Sequence, residues 1–174
     1  MTKEAGSRII SFSYAEPTIF YEYMLDIAKL AKKQGIKCVM VTNGFINPEP
    51  LKKLLPYIDA FNIDLKSIND KFYKDICGAR VQPILEAIKL VHKSGKHLEL
   101  TNLIIPSLND SDKDIKELVR WIIKNLDKNV PLHFSAFYPC YKLTNLRATP
   151  PEKVIHAAEA AKGMGMKNVH TGNI

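Results

Sequence analysis

Short apolar runs alternate with longer helical patterns along almost the whole chain, and this alternation constrains the fold more than any other feature. Between the runs, apolar residues recur every three or four positions, the spacing of an amphipathic helix. Such a pattern predicts parallel strands joined by helices. The candidate strands are Ile9–Tyr14, Cys38–Thr42, Ala60–Leu65, Leu98–Ile104, Leu132–Tyr138 and Asn168–Thr171.

Helix-end signals fall between these runs. Asn47-Pro48 and the segment 149–152 each place a capping side chain before a proline, and Ser111 with Asp114 predicts the start of another helix. Left-handed glycines are expected to close helices before the next strand. These glycines are Gly35, Gly95 and Gly163. The segment Thr2–Gly6 reads as the last turn of a further helix.

Several candidate strands carry a polar residue at every second position, which places the polar residues on one face. These alternating residues are Ser11, Ser13, Asn62, Asp64, Lys66, Glu99, Thr101, His133 and Ser135. With helices on the apolar face, the polar face is expected to line a wet, ligand-sized barrel interior. An antiparallel sheet with one solvated face is the alternative.

The predicted fold is α/β: a partial (β/α) TIM-like barrel of about five to six parallel strands with outer helices. The 174 residues suit a single domain spanning residues 1–174. No apolar stretch is long enough to span a bilayer and the start does not resemble a signal peptide, so a cytoplasmic protein without membrane association is expected. The net charge of +7 comes from scattered lysines, which makes nucleic acid an unlikely partner.

The three cysteines, Cys38, Cys77 and Cys140, are far apart and form no CxxC or CxxxCxxC group. Local spacing therefore predicts no metal or cluster site in this chain. Apolar neighbours favour buried, inert thiols at these positions.

Three segments at predicted strand ends carry a family resemblance: 14–18 (Tyr-Ala-Glu-Pro-Thr), 42–44 (Thr-Asn-Gly) and 64–66 (Asp-Leu-Lys). In this order and spacing they resemble the radical S-adenosylmethionine (radical SAM) superfamily, in particular the group of pyruvate formate-lyase activating enzyme. Segments 11–23, 63–78 and 103–110 are most similar to the radical SAM member of the AmmeMemoRadiSam system.

The resemblance implies a site for S-adenosylmethionine near the strand ends. Glu16 matches the glutamate of the family's Gly-Gly-Glu-Pro motif, with Tyr14 and Ala15 replacing the glycines, and would meet the ligand's ammonium. Lys66 would bind the ligand's carboxylate. The cofactor-binding candidates are Ala15, Glu16, Thr42, Asn43, Asp64, Lys66, Thr101, His133 and Tyr138.

Several of these candidates have structural alternatives. Asp64 and Lys66 could form an internal salt bridge, and the Asn43-Gly44 pair is also favourable turn chemistry. His133 is as compatible with a structural role as with ligand binding or proton handling. Tyr138 stands where the family usually has a histidine that contacts adenine.

The family's [4Fe–4S] cluster is held by a CxxxCxxC segment, and this chain contains none. The sequence therefore predicts a barrel without its first βα unit, no catalytic residues of its own, and no activity for the chain alone. The complete enzyme would generate a 5′-deoxyadenosyl radical and act on a protein such as a glycyl-radical enzyme or a Memo-like partner. A truncated reading frame, a two-chain enzyme and a non-catalytic module binding a nucleotide-like ligand or a protein remain alternatives.

Overall fold

The structure is a computed structural model, and it describes residues 6–174. Within these residues there are six strands: β1 (Ile9–Phe12), β2 (Lys37–Thr42), β3 (Ala60–Asp64), β4 (His97–Ile104), β5 (Leu132–Ala136) and β6 (Val169–Gly172). The α-helices are α1 (Tyr21–Lys33), α2 (Pro48–Leu54), α3 (Asp70–Phe72), α4 (Val81–Lys93), α5 (Asp112–Asn125) and α6 (Pro151–Gly163). Short 3₁₀ turns cover Pro17–Phe20 and Tyr141–Leu143, and a π-helical turn covers Tyr73–Cys77.

The strands follow one another in chain order in a single sheet, β1-β2-β3-β4-β5-β6. The registers of β1 with β2, β2 with β3, β4 with β5, and β5 with β6 are all parallel. Side-chain burial alternates as predicted: in β3, Phe61 and Ile63 are buried, while Asn62 and Asp64 are half-buried. The predicted parallel α/β order and the polar face of the strands are confirmed.

The chain divides into two compact units. The first contains the residues up to Asp64 together with Pro83–Leu98. In it, α1 packs against β2 and buries one face of small and flexible side chains. That face consists of Met24, Ala28 and Ala31. Gly35 follows α1 with a left-handed φ of 69°, as expected for a helix-closing glycine.

The second unit contains Leu65–Gln82 and Glu99–Ile174. Here α6 packs against β5, β6 and α5. The amphipathic face of α5 is fully buried, in line with its three-to-four-residue apolar spacing. Its buried residues are Ile115, Leu118, Val119 and Ile122.

The hydrogen bonds at the helix ends test the predicted capping residues. Ser111 caps α5 as predicted, because its hydroxyl accepts the N–H of Asp114 at 3.1 Å. The cap predicted for Thr149 is wrong, because its hydroxyl bonds elsewhere: it donates to the carbonyl of Ile104 at 2.5 Å and accepts the N–H of Phe137 at 3.0 Å. Asn47 precedes α2 without a side-chain capping bond.

The glycine signals are confirmed in part. Gly95 has a left-handed φ of 72° after α4, as predicted. Gly163 is instead the last residue of α6, and Gly165, with φ 103°, takes the positive φ. The helix turn predicted for Thr2–Gly6 lies almost wholly outside the described residues.

Candidate S-adenosylmethionine site

The carboxylate of Glu16 links the segment after β1 to the end of β2. Its Oε1 accepts the hydroxyl of Thr42 at 2.6 Å and the N–H of Thr18 at 3.1 Å, and its Oε2 accepts the N–H of Asn43 at 2.8 Å. Hydrogen bonds to a charged acceptor are about twice as strong as neutral ones. Glu16 is therefore a fixed anion at the carboxyl ends of two strands, with about one acceptor position of its roughly four left for a ligand.

The backbone before Glu16 is strained. Tyr14 and Ala15 both adopt left-handed φ values, 62° and 49°. This conformation costs about 1–2 kcal/mol for each residue with a Cβ, which is why such positions usually hold glycine. The Tyr14 side chain is 92% exposed, so packing of that side chain does not account for the strain. The chain thus takes the conformation of a Gly-Gly segment without its glycines.

Thr42, Asn43 and Gly44 form a tight turn at the end of β2. The Thr42 hydroxyl accepts the N–H of Gly44 at 3.1 Å, and the Asn43 Oδ1 accepts the N–H of Phe45 at 2.8 Å. The turn interpretation of this tripeptide is therefore supported. The main-chain N–H of Asn43 donates to Glu16, so this turn also orients the N–H that holds the Glu16 carboxylate.

Asp64 is the half-buried last residue of β3. Lys66 belongs to the second unit, where its main chain is held on both sides. Its N–H donates to the Tyr73 hydroxyl at 3.1 Å, and its carbonyl accepts the carboxamides of Asn102 at 3.0 Å and Asn109 at 2.7 Å. The main chain from which the Lys66 side chain extends is thus tightly fixed.

His133 lies in a row of polar residues that crosses β4, β5 and β6. Its Nε2 is 2.7 Å from Glu99 Oε2, and its ring stacks on that of His170 at 4.9 Å. Thr101 is paired with His133 in the β4–β5 register. His133 is only the second residue of β5, distant from the carboxyl end of that strand. These contacts favour the structural interpretation of His133.

Tyr138 follows β5 and is 60% exposed. Its hydroxyl donates to the carbonyl of Asn173 at 3.1 Å, which ties it to the last residues of the chain. The ring remains accessible for stacking, but nothing else in its contacts identifies a ligand.

A cavity of about 230 Å³ in the first unit lies at the opposite end of β2 from Glu16. Its lysines include Lys37, which pairs with Asp59 at 3.0 Å, while the second Asp59 oxygen accepts the N–H of Cys38 at 2.9 Å. Burial tends to raise the pKa of Asp59, but these two bonds, together with the charges of Lys37 and Lys96, outweigh it and the pKa falls below its ordinary value. These contacts stabilise the start of β2, and the cavity is not part of the candidate site.

Comparisons with known proteins place this geometry in a family. The Radical SAM superfamily model matches residues 1–122, more than half of the chain. The chain belongs to the radical SAM superfamily. An uncharacterized protein of Methanocaldococcus jannaschii is 44% identical over 95% of this chain and 49% of its own length. The pyruvate formate-lyase-activating enzyme of Clostridium pasteurianum is 29% identical over 83% of this chain and 64% of its own length.

The fold agrees with that assignment. The crystal structure of a domain of pyruvate-formate lyase-activating enzyme from Bacteroides vulgatus superposes with a TM-score of 0.81 at 19% identity, over 94% of this chain and 98% of that one. The predicted fold class, the α/β fold of radical SAM partial barrels, is confirmed. This radical SAM chain spans about half the length of its M. jannaschii relative, at 49%.

The superfamily's cofactors are S-adenosylmethionine and a [4Fe–4S] cluster. In the part of the chain that the structure describes, no group of three or more His, Cys, Asp or Glu side chains could hold a metal ion. These residues therefore do not fit the cluster. The fixed carboxylate of Glu16 suits a cationic ligand group. Among residues 6–174, no helix has both the length and the apolar character that crossing a membrane requires.

The cysteine prediction holds only in part. Cys38 is buried. Burial is the main reason that the pKa of its thiol is raised, and the negative charge of the nearby Asp59 raises it further. Cys77 and Cys140 are exposed, so the expectation of buried thiols is wrong for them. Cys77 is the last residue of the π-helical turn, and Cys140 immediately precedes the second 3₁₀ turn. Although Cys77 is exposed at the surface, partial desolvation of its sulfur raises the pKa of the thiol, and the ammonium of Lys66 acts in the opposite direction.

Sequence reasoning missed Asn102, Asn109 and Tyr73. Asn102 carried a signal, because it is a polar residue on the face of β4 that otherwise holds Leu98, Leu100 and Ile104. Tyr73 lies seven residues and Asn109 lies 43 residues from Lys66, and no periodicity in the sequence marks either position as its partner.

Proposed function

We propose that this chain supplies S-adenosylmethionine-binding residues of a radical SAM enzyme of the activating-enzyme type. The observation that carries the proposal is the Glu16 carboxylate, which three donors hold at the ends of β1 and β2. An anion fixed in this way suits the ammonium of the ligand's amino-acid part. Lys66 is proposed to meet the carboxylate of the same part.

The remaining proposed contacts follow the chemistry of each residue. The left-handed Ala15 backbone brings main-chain groups next to Glu16, and Thr42 and Asn43 form the turn that holds its carboxylate. Asp64 is proposed for a ribose hydroxyl and Tyr138 for the adenine ring. Thr101 and His133 are proposed to support the site from the strands. In a radical SAM enzyme, one electron from the [4Fe–4S] cluster would cleave the S–C5′ bond of S-adenosylmethionine to methionine and a 5′-deoxyadenosyl radical, which would take a hydrogen atom from the substrate.

A protein substrate belongs to the same proposal. The C. pasteurianum relative is named for activating pyruvate formate-lyase, and a glycyl-radical enzyme or a Memo-like protein is the corresponding partner for this chain. We also propose a cytoplasmic location, where both kinds of partner would be met.

Equilibrium dialysis of the folded chain against labelled S-adenosylmethionine tests the proposal. We expect saturable binding that Lys66→Met and Glu16→Ala abolish. Lys142→Met changes another lysine of the second unit, in an exposed 3₁₀ turn, and should leave binding intact. Circular dichroism checks that each variant is folded. No saturable binding by the folded wild type up to millimolar ligand, or equal loss in Lys142→Met, would refute the proposal.

A further inference from the structure

The peptide groups on either side of Lys66 are held by side chains from distant parts of the second unit. Asn102 Nδ2 donates to the carbonyls of Leu65 at 2.8 Å and Lys66 at 3.0 Å. Asn109 Nδ2 donates to the Lys66 carbonyl at 2.7 Å and to that of Leu103 at 2.9 Å. With the Tyr73 hydroxyl on the Lys66 N–H, both polar groups of this residue's main chain have side-chain partners.

These partners are buried, so their contacts are not shared with bulk water. Asn102 is 1% exposed, Asn109 is 3% exposed and Tyr73 is 2% exposed. A buried carboxamide is unfavourable unless it is hydrogen-bonded. Asn109 satisfies this condition at both ends, since its Oδ1 also accepts the N–H of Ile105 at 2.7 Å.

Asn102 does not satisfy it fully. Among the described residues, its Oδ1 is the one buried side-chain oxygen or nitrogen without a hydrogen-bond partner. A leucine would continue the apolar face of β4, with Leu100 and Ile104 as neighbours on that face. The unpartnered oxygen is destabilising, and what the asparagine provides is a donor to the carbonyls of Leu65 and Lys66.

We infer that Asn102 and Asn109 are positioning residues that fix the main chain of Lys66 so that its ammonium is directed at an anionic ligand group. This inference rests on the proposed function, in which that group is the carboxylate of S-adenosylmethionine. Binding through a lysine orders its side chain, which has many rotamers, and that ordering costs conformational entropy. A main chain that is already fixed adds no further ordering cost on binding. Lys66 makes the contact, and the two asparagines act through it.

A pair of ligands separates positioning from general loosening of the fold. 5′-Methylthioadenosine lacks the amino-acid part and hence the carboxylate. Asn102→Leu should lower affinity for S-adenosylmethionine about tenfold, corresponding to about 1.4 kcal/mol, and leave affinity for 5′-methylthioadenosine within about twofold. Tyr73→Phe keeps the ring and removes the hydroxyl acceptor. It should lower the ratio of the affinity for S-adenosylmethionine to the affinity for 5′-methylthioadenosine by a smaller factor.

Asn168→Leu is the matched control, because the Asn168 carboxamide donates to the Asn129 carbonyl and secures a different loop. It should leave the ratio of the two affinities unchanged. Lys66→Met distinguishes the positioning role of the asparagines from the proposed binding by Lys66 itself. If Lys66→Met lowers the ratio and neither Asn102→Leu nor Tyr73→Phe does, the positioning role is refuted and the proposed function stands. If Lys66→Met leaves the ratio unchanged, or neither compound binds, both are refuted.

Discussion

Replacing Gly44 by alanine should destabilise the protein far more than the same change at Gly35. Both glycines are left-handed, with φ values of 74° and 69°. A Cβ at Gly44 would lie 2.7 Å from Ile63 Cγ2 and 3.2 Å from Ile84 Cγ2, whereas a Cβ at Gly35 has nothing within 4 Å. The pair therefore shares the backbone penalty and differs in the steric contact.

The magnitudes follow from these two contributions. A left-handed alanine costs about 1–2 kcal/mol at either position. Overpacking a buried site costs a further 1–3 kcal/mol or so, and this applies only to Gly44. Gly35→Ala should thus lower the free energy of unfolding by about 1–2 kcal/mol, and Gly44→Ala by about 2–5 kcal/mol.

Urea unfolding followed by circular dichroism measures both variants under the same conditions. Asparagine variants add a second comparison, since asparagine tolerates left-handed φ but carries a Cβ. Gly35→Asn should be nearly neutral, and Gly44→Asn should remain strongly destabilising. Equal losses in the two alanine variants, or recovery of stability in Gly44→Asn, would contradict the contact with Ile63 and Ile84.

Three other changes test separate features. Ala15→Gly should raise the free energy of unfolding by about 0.5–1 kcal/mol by relieving the left-handed strain, and a loss in urea unfolding would contradict the strain. Thr149→Val leaves Phe137 without its acceptor and should cost about 1–3 kcal/mol, with Thr149→Ser losing less; equal losses would contradict this role. The lowered pKa of Asp59 contributes stability above about pH 4 that disappears as pH falls through the folded value. Asp59→Asn should therefore cost at most about 1 kcal/mol near pH 7, and a gap that persists at pH 2–3 would contradict the ion pair.

The sequence was sufficient to place all six strands. Five are apolar or alternating runs bounded by turn or helix signals, whereas β6 has a single apolar residue, Val169. Three predicted strands were too long at their carboxyl ends, the third of them, 60–65, by a single residue. The strand predicted to reach Tyr14 ends at Phe12, two residues before the left-handed pair. The strand predicted to reach Tyr138 ends at Ala136, because the next N–H, that of Phe137, bonds to the hydroxyl of Thr149.

In the candidate site, too, features encoded by neighbouring residues could be predicted and contacts between distant residues could not. The motif residues Glu16 and Lys66 could be found from short segments, because their resemblance lies in neighbouring residues. Thr42 and Asn43 were found in the same way, but not their bonds to Glu16, 26 and 27 positions away. The partners of Lys66 that lie 36 and 43 positions away, Asn102 and Asn109, were missed. Such contacts leave no periodicity in the sequence.

The two groups of contacts also share a physical logic. A charged side chain is effective toward a ligand only if its own position is settled before binding, since ordering it afterwards reduces affinity. Glu16 is settled through its carboxylate, which three donors hold directly, whereas Lys66 is settled through its main chain. Glu16 variants should consequently alter both folding and binding. At Lys66 the two effects can be separated, because Asn102 and Tyr73 can be changed without touching the ammonium itself.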